Sequence, residues 1–311
     1  MNRDKIMART MRFLALTAVV LLAAAAPSAA AGVGTTGAQF LQVGVGARPL
    51  AMGGAFSALP DDANAINWNP GALAEVKTKN LTASYNALFK DENQGFLGYA
   101  SPVGQAGTAA VGFNYLMVSD IPRRAAESDA PDSTFANQNY VASLAYGRSV
   151  ILDKFSLGVN LKYIREDLDN FKGSAMAVDL GALYKTPVEH LTAGLVMQNL
   201  GTRIGPDPLP LTFKGGAAYR LFKERLVLAS DVDWLAMDQR AYWDLGGEFW
   251  LDKALALRAG YELGHGVDKT GSMVGFATGF GVKISQLVLD YAFVPFGDLG
   301  NTHRFTLGWR F

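Results

Sequence analysis

The sequence has 311 residues, with 28 basic and 28 acidic side chains, 34 glycines and no cysteine. The balance lacks the basic excess of a nucleic-acid partner, and the missing cysteine excludes a disulfide framework, a thiol nucleophile, a thiolate metal site and an acylated lipoprotein. Half the chain is hydrophobic, yet after residue 31 no run reaches the roughly 20 apolar residues that a membrane helix needs.

Residues 1–31 stand apart. Arg3, Lys5, Arg9 and Arg12 precede an uncharged stretch from Phe13 to Ala26, and Pro27-Ser28-Ala29-Ala30-Ala31 offers small residues for cleavage. This is the layout of a secretory signal peptide. Cleavage after Ala30 or Ala31 leaves 24 basic against 27 acidic groups.

The next segment, 32–78, does not alternate as a strand would. Glycines at 44, 46, 53 and 54 allow its backbone to pack closely against other chain. Asp61 or Asp62 can cap a short helix running through Trp68, and Asn69-Pro70-Gly71 ends it, because the residue before proline is pushed out of the helical region.

From residue 79 onward the apolar residues recur at every second position, the period of a strand with two different faces. Phe155, Leu157, Val159, Leu161 and Tyr163 share one face, against Ser156, Gly158, Asn160 and Lys162 on the other. The spacing predicts strands near 80–87, 94–101, 106–117, 139–148, 155–165, 174–184, 191–199, 211–220, 225–234, 241–251, 254–263, 272–283, 286–294 and 303–311. They mostly run to about 8–12 residues, the length of a tilted membrane strand, and their number is even, as in single-chain bacterial barrels. Short connections near 102–105, 149–154, 185–190, 221–224, 252–253 and 284–285 alternate with mostly longer ones, of which 118–138 is the longest. That sorting predicts short periplasmic turns and longer outer loops. The fold class expected is therefore all-β: a transmembrane antiparallel β-barrel of about 14 strands, 79–311, with a short helical plug at its N-terminus, 32–78.

One stretch carries a family likeness. Gly46-Ala47-Arg48-Pro49-Leu50-Ala51-Met52-Gly53-Gly54-Ala55-Phe56, then Asp61-Asp62 and Trp68-Asn69-Pro70-Gly71-Ala72-Leu73, resembles the N-terminal signature of PorV/PorQ-type proteins, which are related to the FadL transporters. Gly71 stands where many members have Ala. The resemblance implies a 14-stranded barrel of the cell outer membrane, with residues 37–74 in or under its interior. It further implies a part in protein export, with type IX secretion as the known example and secretion-system components or exported cargo as partners beside the outer-membrane lipid. The alternative is a FadL-like passive transporter of hydrophobic small molecules.

Individual residues add constraints. The plug motif is Asp61, Asp62, Trp68, Asn69, Pro70 and Gly71, expected to be structural caps more than ligand contacts. Trp309 and Phe311 end the last two-faced strand, and a terminal aromatic there resembles the insertion signal of outer-membrane barrels. Asp179, Asp231, Asp233, Asp244, Glu248, Arg258, Glu262, Asp290, Arg304 and Arg310 fall on non-lipid faces, since a charge facing lipid at mid-depth costs about 2–4 kcal/mol for Arg or Lys. The three histidines, at 190, 265 and 303, make no metal-ligand spacing, and no nucleophile elbow, zinc-protease helix or phosphate loop occurs. The expectation is a non-enzyme with no catalytic residue, no metal, no cofactor and no nucleic-acid partner.

Overall fold

The computed structural model describes residues 34–89, 92–127, 129–151, 154–264 and 273–311. The signal peptide expected at 1–31 and His265 lie outside the described residues. Fourteen strands succeed one another: β1 (Asn80–Ala87), β2 (Glu92–Pro102), β3 (Thr108–Arg123), β4 (Ser133–Ile151), β5 (Phe155–Leu168), β6 (Phe171–Lys185), β7 (Leu191–Gly201), β8 (Thr212–Leu221), β9 (Leu226–Leu235), β10 (Arg240–Trp250), β11 (Leu255–Leu263), β12 (Phe276–Ile284), β13 (Leu287–Pro295) and β14 (Asn301–Arg310). Each pairs antiparallel with the next, and β1 pairs with β14 from Asn80↔Arg310 to Ala87↔His303, so the sheet closes. Closure leaves no edge strand with unpaired backbone groups, the condition for crossing a bilayer with strands. Among the described residues no helix is long and apolar enough to do so.

The two-faced pattern has its expected consequence. On β5, Leu157, Leu161 and Tyr163 point outward and are exposed, whereas Ser156, Asn160 and Lys162 are buried inside. On β14, Phe305, Leu307 and Trp309 are exposed and Thr302, Arg304 and Thr306 are buried. A continuous apolar exterior of this extent would be an aggregation hazard in water. In lipid it is the matched face.

Two loops expected from the sequence are corrected. Most of 118–138 is strand: β3 and β4 stay paired out to Arg123↔Ser133, with a register shift between Val118 and Ile121. Only 124–132 remains as a turn, which Asp132 closes by accepting from the Ala125 N–H at 2.7 Å. Likewise 166–173 is paired out to Leu168↔Phe171, leaving a two-residue turn. Longer connections on one side therefore hold for 124–132 and 202–211 but not for 169–170 or 236–239. Strands β3 to β6 have 16, 19, 14 and 15 residues, against 8 to 11 for the others. A spanning strand needs only about 9–11 residues, so this quarter of the wall rises above the rest. We term its raised end the outer rim; Phe311 and the start of β1 mark the inner rim. An ion pair from Arg123 to Asp169 joins the two raised hairpins. At the inner rim the turn after β10 is held by Asp252, whose carboxylate accepts from the Ala254 and Leu255 N–H groups. Those hydrogen bonds hold its pKa below the ordinary carboxylate value.

Candidate functional site

Inside the barrel lies the segment before β1. It contains two short helices, α1 (Ala47–Ala51) and α2 (Ala65–Trp68), and single 3-10 turns at Gln39–Gln42 and Pro70–Glu75. Ala47, Met52, Phe56, Ile66, Asn69 and Leu73 are wholly buried. So little regular structure leaves many backbone groups needing partners, and buried ones cannot go unpaired. The lumen face supplies them. Thr306 accepts from the Ala47 N–H, Asp231 from the Phe56 and Ser57 N–H groups, and Asn80 from the Ala63 N–H, at 2.7–2.9 Å. Asn160 and Gln198 donate to the Ile66 and Asn67 carbonyls. The polar lumen face of these strands is thus largely a set of partners for the plug backbone.

Glycines on the same face let that backbone come close. Gly147, Gly158 and Gly181 are register partners on β4, β5 and β6, and together they face Pro70 and Gly71. Gly246 and Gly260 pair on β10 and β11 beneath Met52. A Cβ on Gly53, whose φ is +64°, would sit 2.6 Å from the Tyr261 nitrogen.

The residues expected to form a plug motif lie along this contact, and one of their expected roles is corrected. α2 is preceded by Asn64, which makes no side-chain cap; the Asp62 carboxylate accepts from the Asn64 N–H at 2.9 Å. Asp61 caps nothing. It pairs with Arg48 at 2.7 Å and Arg310 at 3.5 Å, because Arg48 reaches back across 13 residues while its other nitrogens hold Glu248. Trp68 donates its indole N–H to the Val45 carbonyl at 2.9 Å. Asn69 accepts from the Gly71 N–H and donates to the Ser57 and Ala182 carbonyls, so one amide joins two plug segments to β6. A Cβ on Gly71 would lie 2.7 Å from the Gly181 oxygen, which accounts for glycine at this position.

The charges expected on non-lipid faces do point inward, and closure sorts them into groups. Arg258 binds Glu248 and Asp290, each at 2.7 Å, and Glu248 also holds Arg48. Lys162 pairs with Asp179 at 2.6 Å. Lys214 pairs with Asp233 and lies 5.2 Å above the Trp68 ring.

Between plug and outer rim is a cavity of about 1110 Å³. Its apolar lining includes Phe40, Leu50, Trp68, Leu116, Val141 and Phe296, and its polar lining Asp233, Asp244, Glu262, Lys214 and Arg304. The connection 202–211 folds inward over it: Gly37 donates to the Pro208 carbonyl, and Ile204 and Leu209 are buried with Ala38 and Phe40. These two apolar residues, placed by the sequence on an outer loop, are therefore not on the outside surface. Nothing in the one-dimensional pattern marks this inward fold. Among the described residues no cluster of histidine and carboxylate side chains could hold a metal. His190 sits in an inner turn, and His303 accompanies Tyr291 on the outer face.

At the inner rim the Trp309 and Phe311 rings pack with centroids 4.6 Å apart, and Phe311 lies 6.5 Å from Tyr99. The Phe311 N–H donates to the Lys79 carbonyl.

Residues 26–207, more than half of the chain, match the family model described as type IX secretion system protein PorV. The chain belongs to the PorV family. That match takes in the plug and β1 to β7, so the raised wall lies wholly inside it. No curated protein matches the chain by sequence. Among solved structures it is similar to the Ralstonia pickettii toluene transporter TbuX (TM-score 0.61, 12% identity, 86% of this chain and 98% of that one). It is also similar to the TodX deltaS2S3 mutant monoaromatic hydrocarbon channel (TM-score 0.58, 12% identity, 85% and 97%). At such identity the likeness is one of fold. The PorV family member is thus an outer-membrane barrel of a protein-export system, and the family is one of secretion-system barrels rather than enzymes.

Proposed function

We propose that this PorV family barrel works in type IX export through its outer rim, carrying or attaching cargo there while the plug keeps the lumen shut. In this reading residues 1–31 are removed, 32–78 form the plug and 79–311 form the barrel. The observation that carries it is the raised β3–β6 wall. Pairing extended beyond spanning length, with the two hairpins joined by Arg123 and Asp169, gives a rigid projecting surface. The β3–β4 part of this surface is mostly polar, with Ile121 and Phe135 as the apolar exceptions expected from the sequence, and the β5–β6 tip adds the exposed Leu168 and Phe171, so contact there is modest in area with a polar rim. Replacing 122–134 by a two-residue turn shortens the hairpin and leaves the spanning part of β3 and β4 intact. The folded barrel is expected at normal level, with co-purification of translocon or cargo lost. Unchanged co-purification would remove the reading.

A second reading has its own observation, the partly apolar vestibule resting on the plug. If it receives hydrophobic small molecules, as the TbuX and TodX names describe for those proteins, the plug must shift for passage. Replacing Asn69 and Pro70 by Ala would then alter hydrocarbon or fatty-acid uptake while export persists. The reverse pairing of outcomes belongs to the export reading.

A further inference from the structure

The raised wall of β3 to β6 stands above its neighbours, so each of its two sides ends in strand that outruns the next one. On the β3 side, pairing with β2 stops at Glu92↔Val118. That side is blunted. The register shifts between Val118 and Ile121, and Pro122 has no N–H to offer, two devices that keep a sheet edge from pairing with other chain. On the β6 side, pairing with β7 stops at Ala177↔Gly201, and residues 171–175 rise beyond it. Neither proline nor register shift interrupts them, and they pair with β5 as far as Leu168↔Phe171. Because β7 with 11 residues already has spanning length, this edge lies above lipid.

The backbone groups of 171–175 point alternately to β5 and to the open side. Met176 fixes which is which: its carbonyl accepts from the Thr202 N–H at 2.9 Å, and its N–H donates to Thr202 Oγ1 at 3.0 Å. Ser174 and Lys172 therefore face the same way as Met176. Beyond Thr202 the chain turns over the lumen, with Ile204 against the inward face of Gly173, and among the described residues no backbone group pairs with Ser174 or Lys172 on that side. The Lys172 ammonium leans across β5 to Asp167 at 3.2 Å, away from the opening. On the outward face a groove of about 440 Å³, lined by Leu144, Leu161, Tyr163, Met176 and Leu200, reaches up to Thr202 at the foot of the edge. A sheet edge with a side-chain pocket beside it is what receives an extended peptide as an added strand. A second copy in the same membrane cannot supply that strand: with strands tilted by about 35–45°, two β6 edges related by a two-fold axis along the membrane normal cross at roughly 70–90°. We propose that the open β6 edge takes an extended segment of exported polypeptide as an added strand, paired with Ser174 and Lys172 and with an apolar side chain over Met176 and Leu200. This rests on the export reading and names the part of the outer rim that holds the cargo.

The probe is a fluorescent peptide of about ten residues alternating valine and threonine, beside the same peptide with every amide N-methylated, which keeps the side chains and cannot donate. Binding to the full detergent-solubilised barrel is read by anisotropy, against protein-free micelles. The first peptide is expected to bind at least tenfold more tightly than the second. Ser174→Pro removes an N–H on the open side and no ladder bond to β5, a place where a strand tolerates proline; it is expected to lose at least tenfold, whereas Ser174→Ala, which keeps the N–H, binds as before. Heat-modifiable migration shows whether Ser174→Pro folds. Should it not, hydrogen exchange on the unaltered barrel decides: slowing of the Ser174 amide by the peptide supports the pairing, and unchanged exchange overturns it. Equal binding of the two peptides, binding of neither, or affinity unchanged in folded Ser174→Pro would each overturn the proposal. Co-purification of cargo separates this from the reading beneath it. Loss on shortening 122–134 but not in Ser174→Pro overturns the edge and leaves the export reading standing; retention in both removes the export reading and, with it, the exported segment as the occupant.

Discussion

Glu248 shows how a single buried side chain can hold two parts of the molecule together. It is 1% exposed, it comes from β10, and it grips Arg48 of the plug and Arg258 of β11. Removing one member of a buried ionic group strands its partners, at a cost of about 3–5 kcal/mol. Glu248→Ala is therefore expected to lower the urea midpoint of the barrel clearly, and Glu248→Gln, which keeps hydrogen-bonding capacity, to lower it less. The exposed Lys172–Asp167 pair is the contrast: screened by water, it is worth about 0–1 kcal/mol, and Lys172→Ala should leave the midpoint in place. Equal effects at the two sites would contradict the assignment of Glu248 as the plug tie.

At the scale of elements, the glycine partners on β4, β5 and β6 decide how the plug seats. A side chain on Gly158 would enter the space of the Pro70 carbonyl. Gly158→Val is expected to leave the barrel closed, since valine suits a strand, but to unseat residues 37–74. Limited proteolysis should then cut within that segment while the strands resist. Gly247 is the control: it lies on the lipid face, and a Cβ there would find its nearest neighbour at 3.8 Å. Gly247→Val should leave the plug protected. The raised hairpins are a second element-scale feature. Above lipid both faces of a strand are wet, so alternation fades, and Ser133-Thr134-Phe135-Ala136-Asn137-Gln138 looks like loop in the sequence although the ladder runs through it.

For the whole molecule, closure and orientation make two expectations. With both ends of the barrel chain at the inner rim, the turn at 124–132 and the turn at 252–253 open on opposite sides of the membrane. The chain has no native cysteine, which makes single-cysteine labelling clean. Asp129→Cys should react with an impermeant maleimide on intact cells, and Lys253→Cys should react only after lysis; the reverse pattern would invert the topology. We further propose that Trp309 and Phe311 serve as the insertion signal. Their deletion together with Arg310 should sharply lower the amount of folded barrel, because it also frees part of the β1 and β13 edges that β14 covers. Normal folded levels in that deletion would set the signal role aside.

Every one of the fourteen strands is legible in the alternation of the amino-acid sequence, and β1 matches its expected span at both ends. The reason is physical: a strand between lipid and a polar interior must change chemistry at each residue. The inward direction of Asp231, Glu248 and Arg304 follows from the same cost of charge in lipid. Tertiary structure alone decided the partners. Arg48 and Glu248 are 200 residues apart and meet only because the sheet closes around the plug. Asp231, Asp244 and Glu262 stand side by side only through the registers of three strands, and Ile204 and Leu209 turn inward only because a vestibule is there to cover. Two-residue periodicity records which medium each side chain faces; it carries no information about which distant residue shares that medium.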